Sequence, residues 1–138
     1  MSGSFFSNAS SLSDLLTTLK NGVIAVNTLS NYLASRINMG RGAMALSYAT
    51  LYTVQPNNNI VLTNIDICNT AGVAAQVWVS IVPSGGTAGT DNALIYGANV
   101  PANSLMQWVG SLPMSPGETV QCYATATTCT IMASGAGG

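Results

Sequence analysis

A chain of 138 residues carries only three Lys or Arg and four Asp or Glu, with no His, for a net charge of −1. With no basic cluster it offers no electrostatic footprint for nucleic acid or an anionic membrane surface, and with no His it lacks the commonest general base and the commonest zinc ligand. Charged residues make up 5% of the chain, against about 25% in an average soluble protein, so its surface must be amide, hydroxyl and glycine, or be covered by neighbours.

Residues 1–10 form a Ser-rich arm with adjacent Phe5 and Phe6. Exposed rings are costly in water, which predicts that Phe5 and Phe6 anchor the arm in a neighbouring surface, or that one folds back as a hydrophobic staple. Residues 11–38 follow as a predicted α-helix. Leu12, Leu16, Leu19, Val23, Val26, Leu33 and Ile37 recur on a seven-residue repeat broken only at Ser30, the pattern of a coiled-coil seam. Ser11 with Asp14 resembles a capping box, Arg36 complements the last turn, and Gly40 reads as a left-handed stop. Leu15, Ile24 and Leu29 widen the apolar arc, so an amphipathic helix lying on its own sheet is the alternative. No second long helical run follows that would cover the seam internally, and self-association is the expectation.

Residues 39–47 read as a linker and residues 48–134 as one β domain. Apolar and β-branched runs at 48–54, 60–68, 73–82, 93–99, 104–112, 119–126 and 128–134 are separated by turn residues, among them Pro56 with Asn57 to Asn59, and Pro116 with Gly117. In the second run Val61, Thr63, Ile65 and Ile67 are expected on a buried face opposite Asn64 and Asp66. Seven short strands with no helix between them predict a mainly β fold, an antiparallel β-sandwich or jelly-roll-like domain behind the N-terminal helix. Residues 135–138 are expected to be a small flexible tail.

Few groups remain for chemistry. The Gly-rich stretch 83–91 lacks the Gly-Lys-Ser/Thr ending of a phosphate loop and lies between strands. Asp66 with Glu118 is the one carboxylate pair considered for hydrolysis, and no spacing singles it out. Trp78, Trp108, Tyr52 and Tyr96 would suit either a sugar-stacking platform or packing in the core. Cys122 and Cys129 would face each other across a hairpin, although buried thiols suit a reducing compartment better. The chain is therefore expected to be non-enzymatic, with no cofactor and no metal. No apolar run approaches the roughly 18 residues of a membrane span. The absence of a basic segment followed by an apolar one near the start predicts assembly in a cytoplasm.

Several segments carry a resemblance: ATLYTV at 49–54, Pro56, IVLTNIDICNT at 60–70, VSIVPSGGTAGTDNAL at 79–94, PMSPGETV at 113–120, and the helical NGVIAVNTL at 21–29. Together they resemble the small β-domain of tailed-bacteriophage virion structural proteins, preceded by a short helical leader. The resemblance implies a capsid decoration or cement protein, or alternatively a short head or tail fibre, spike or adaptor with a receptor- or carbohydrate-binding head. It also implies a homotrimer that contacts the major capsid protein or another virion protein and is located in the virion after assembly in the host cytoplasm.

Overall fold

The computed structural model describes residues 36–137, all of them in or between β-strands apart from one short 3-10 turn at Thr90–Asn92. The strands are β1 (Arg36–Ala43), β2 (Ala49–Thr53), β3 (Ile60–Asn69), β4 (Ala75–Val82), β5 (Ala93–Val100), β6 (Ser104–Met114), β7 (Thr119–Ala124) and β8 (Cys129–Gly137). They form two four-stranded sheets, sheet A in the order β1-β8-β3-β6 and sheet B in the order β2-β7-β4-β5. Every paired neighbour is antiparallel. The arm with Phe5 and Phe6, and the seam residues Leu12, Leu16, Leu19, Val23, Val26 and Leu33, lie outside the described residues.

Period-two alternation builds the core. On β7, Val120, Cys122 and Ala124 turn inward, and on β8 Cys129, Ile131 and Ala133 do the same. They meet Ile65 and Ile67 of β3 and Val77 and Val79 of β4 in one buried cluster fed by both sheets. Most of these side chains are β-branched or small, which suits close packing between two pleated faces.

β1 corrects the boundary between helix and linker. Arg36 to Asn38, expected in the last turn of the helix, and residues 39–43, expected in a linker, pair with β8 instead. Ile37 is half-buried against the core and Met39 is fully buried, so Ile37 follows a strand period and not the heptad. Gly40 does adopt a positive φ of 123°, but within a bulge of β1, where a Cβ would lie 2.7 Å from the Leu51 side chain. A run this short fits a period of two and a period of 3.5 about equally, and the available partner strand decides.

The expected tail is likewise structured. Residues 135–137 complete β8 in the middle of sheet A, between β1 and β3. Small residues are required there by close approach: a Cβ on Gly135 would lie 2.5 Å from the Val61 carbonyl oxygen, and one on Gly137 would collide with the Asn59 carbonyl oxygen. On β3 the register shifts between Leu62 and Asn64, so Ile60, Leu62, Ile65, Ile67 and Asn69 are buried. Val61 and Thr63 are thereby moved off the face on which a strict alternation would set them.

Four connections that cross between the sheets, β1–β2, β3–β4, β5–β6 and β7–β8, are cross-linked at one end of the sandwich. The Met44 amide donates to the Cys129 carbonyl, the Asn103 amide to Ala71, and the Thr70 amide to Thr128. Asn69, with no exposed surface, sits among them. Its Nδ2 donates to the carbonyls of Val73 (2.7 Å), Val100 (3.2 Å) and Pro101 (3.4 Å), and its Oδ1 accepts from the Ala71 amide (3.1 Å) and the Thr128 hydroxyl (3.4 Å). Asn69→Asp replaces the donor by a carboxylate oxygen facing three carbonyls. It is expected to lower the unfolding free energy by about 3 kcal/mol or more, read as a reduced urea midpoint with an unchanged slope; a shift below about 0.5 kcal/mol would contradict the role given to Asn69.

Candidate functional site

The two outer faces of the sandwich differ, and the difference locates the site. Across sheet B the register pairs Trp78 with Tyr123, and Tyr48 and Tyr96 flank this pair as ring neighbours. Tyr123 stacks on Trp78 with centroids 4.4 Å apart and planes 2° from parallel. Tyr48 meets Tyr123 edge-on at 4.6 Å, and Tyr96 meets Trp78 edge-on at 6.4 Å. Beneath them the hydroxyl of the fully buried Ser80 donates to the Tyr48 hydroxyl at 3.2 Å. Burial among the rings, then the neighbouring Tyr48 and Tyr96 hydroxyls, push the Tyr123 phenol above its ordinary range.

The four aromatics considered as a platform are therefore divided. Trp78 and Tyr96 share this rank, whereas Trp108 and Tyr52 pack against the core, and Trp108 lies so close to Gly110 that a Cβ there would come within 2.7 Å of its ring. Tyr48 and Tyr123 complete the rank and were missed in the sequence because their strands are distant along the chain. Stacking on each other takes up one flat face of Trp78 and one of Tyr123, of the kind that a sugar ring would use.

The outer face of sheet A is less self-contained. Along β6, Leu105 and Val109 are 60% and 70% exposed, and Met132 on β8 is 46% exposed. β6 is an edge strand, eleven residues long, whose only strand partner among the described residues is β3. At the β1 side, Arg36, Asn38, Arg41, Asp66, Met132 and Ser134 contribute to a cleft of about 360 Å³. Register aligns Arg41, Met132, Asp66 and Gln107 across the four strands, with Asn38, Ser134, Asn64 and Val109 as the adjoining rank.

Within that cleft Asp66 is incompletely satisfied. Its Oδ2 accepts from Asn64 Nδ2 at 2.9 Å, while its Oδ1 is buried and has no hydrogen-bond partner among the described residues. Gln107 Nε2 reaches Asn64 Oδ1 at 3.5 Å and so extends the polar chain along the rank. Glu118 is not brought to Asp66: it stands in the turn before β7 of sheet B, its carbonyl accepting from the Val54 amide. The hydrolytic pairing of the two carboxylates has no geometric basis here. Among the described residues no three His, Cys, Asp or Glu side chains gather as a metal site.

The three thiols are free. Cys122 faces the core from sheet B and Cys129 from sheet A, so β7 and β8 are not a hairpin that would join them. Burial pushes Cys122 from an ordinary 9.0 up to about 11, and burial followed by the nearby Cys68 thiol raises Cys129. These are poor nucleophiles, because the reactive species is the thiolate.

No known protein family, characterised protein or solved structure matches this chain in a comparison of sequence and fold.

The raised thiol gives a pH dependence of definite sign. The folded value of Cys122 exceeds the unfolded one, so the stability it contributes is complete below about pH 9 and is lost as pH climbs towards about 11, on the order of 2 kcal/mol. Urea unfolding measured from pH 8 to pH 11, about the range of the shift, should show a shallower decline for Cys122→Ala than for the native chain. Equal slopes would mean that the thiol is not held neutral by the fold.

Proposed function

We propose that the protein is a non-enzymatic structural component of a bacteriophage virion, a decoration or cement protein that stabilises the capsid as a homotrimer. The observation that carries this reading is the edge strand β6, which exposes the large apolar side chains Leu105 and Val109 on either side of Gln107, in a chain with only 5% charged residues. Edge strands with apolar, uncharged faces are templates for pairing with another chain unless they are covered. A cement protein uses such a surface by burying it against the shell or its own copies.

Strand order and chain path add support. The orders β1-β8-β3-β6 and β2-β7-β4-β5 are those of an eight-stranded jelly roll, an architecture used by capsid and lectin domains; the step from fold to role is an analogy. The heptad over Leu12, Leu16, Leu19, Val23, Val26 and Leu33 would join three copies through a helical stalk, and Phe5 and Phe6 would anchor the arm on the major capsid protein. A short fibre or spike with a sugar-binding head is the second reading, favoured by the charged cleft beside Asp66.

Sedimentation velocity of the full chain at micromolar concentration, alone and with empty capsid shells, tests the first reading. The native chain should run as a trimer and co-sediment with shells. The double variant Leu105→Lys, Val109→Lys should lose shell binding by at least about tenfold, as two charges set into a desolvated contact would require, and should keep its melting temperature because both side chains are exposed. A native chain that stays monomeric and leaves the shells unbound would overturn the proposal.

A further inference from the structure

The cleft at the β1 side of sheet A concentrates a resource that the chain otherwise avoids. Of the seven charged residues, five lie in the described region once Asp14 and Lys20 are set aside, and three of those five, Arg36, Arg41 and Asp66, line this one cleft. Their sum is one positive charge on a chain whose net charge is −1.

The hydrogen-bonding groups around them are arranged unevenly. Asn38 Oδ1 is occupied by the Gly40 amide at 2.9 Å, which leaves its Nδ2 to donate outward. Two guanidinium groups, the Asn38 amide nitrogen and the Ser134 hydroxyl therefore supply donors, and Asp66 supplies the acceptor, with Oδ1 buried and unpartnered among the described residues. A buried carboxylate oxygen without a donor is an uncommon and costly arrangement, and such groups call for a specific explanation.

We propose that this cleft binds a hydroxylated carboxylate of the sugar-acid class, its carboxylate held by Arg36 and Arg41 and an adjoining hydroxyl donating to Asp66. The chemistry excludes simpler occupants. A metal cation is repelled by two guanidinium groups, and the dianion of a phosphate monoester has no phosphoryl proton to donate to Asp66. The carboxylate of a partner's Glu side chain is followed by methylenes, so it too leaves Asp66 unsatisfied. A sugar acid sets an anion and a hydroxyl side by side and offers a C–H face to Met132, a half-exposed and flexible side chain next to Asp66 that can yield to admit a donor. The volume of about 360 Å³ lies at the small end of ligand sites, enough for one compact saccharide unit. The site stands on this geometry alone and does not depend on the virion reading.

Calorimetric titration of the full chain at low salt with four probes tests it: glucuronate, glucose, propionate and N-acetylglutamate amide. Glucuronate is expected to bind at least about tenfold more tightly than any of the other three, as one charge-assisted hydrogen bond beyond the anion contact would give. Arg41→Gln, at an exposed position that should leave folding intact, is expected to weaken glucuronate by about tenfold or more. Asp66→Asn should move the probes in opposite directions, weakening glucuronate while strengthening propionate, because the hydroxyl acceptor is lost and the repulsion of the anion is relieved; a purely structural role would not separate them. If Asp66→Asn fails to fold, Arg36→Gln together with Arg41→Gln decides the matter. Propionate binding as tightly as glucuronate to the native chain, N-acetylglutamate amide binding more tightly, or no heat from any probe at millimolar concentration would each overturn the proposal.

Discussion

One buried amide, Asn69, governs how the two sheets are joined. Its five hydrogen bonds reach the β3–β4, β5–β6 and β7–β8 crossings, three of the four connections gathered at that end. The inward faces are apolar and interchangeable in a way that hydrogen bonds are not. Apolar burial drives the sheets together, and Asn69 specifies which corners meet and at what height. Its donors and acceptors have nowhere else to go, since water is excluded at that depth.

The second organising device is the bulge. Register shifts occur between Asn38 and Gly40, between Leu62 and Asn64, and between Thr50 and Tyr52. Each exchanges the side chains that follow it between faces. In β1 the shift buries Met39 and still leaves Arg36, Asn38 and Arg41 lining the same cleft. In β3 it sets Asn64 and Asp66 side by side outward while Ile65 remains fully buried. The cleft is a product of two bulges on strands that both flank β8.

Much of the β architecture was readable from residue pattern. All seven expected runs became strands β2 to β8, most with ends displaced by one or two residues, because Pro83, Pro101, the Asn57 to Asn59 cluster and Gly117 interrupt alternation wherever the chain turns. β1 was not readable, since Ile37 falls on both a heptad and a strand period and its β8 partner is nearly a hundred residues away. The Gly-rich end of β8 looked like a tail because glycine is a poor strand former, and only the approach of Val61 and Asn59 explains it. For the site, Asp66 was legible as an outward-facing residue, but its neighbours were not: Arg41 and Met132 reach it through pairings set by topology, and no local spacing encodes them.

The aromatic rank on sheet B also has a mechanical meaning. β2 is the shortest strand, five residues at the edge of its sheet and paired only with β7 among the described strands, and would be the first to peel under a load applied along the chain. Tyr48, just ahead of it, is gripped by the edge of Tyr123 and by the Ser80 hydroxyl, while Tyr123 is stacked on Trp78 of the neighbouring central strand. A pull that begins to unzip β2 is thus passed sideways through three rings to β7 and β4, where detachment requires shearing many ladder bonds together instead of breaking them one at a time. The shortest strand of the sandwich is braced by the two central strands of its sheet.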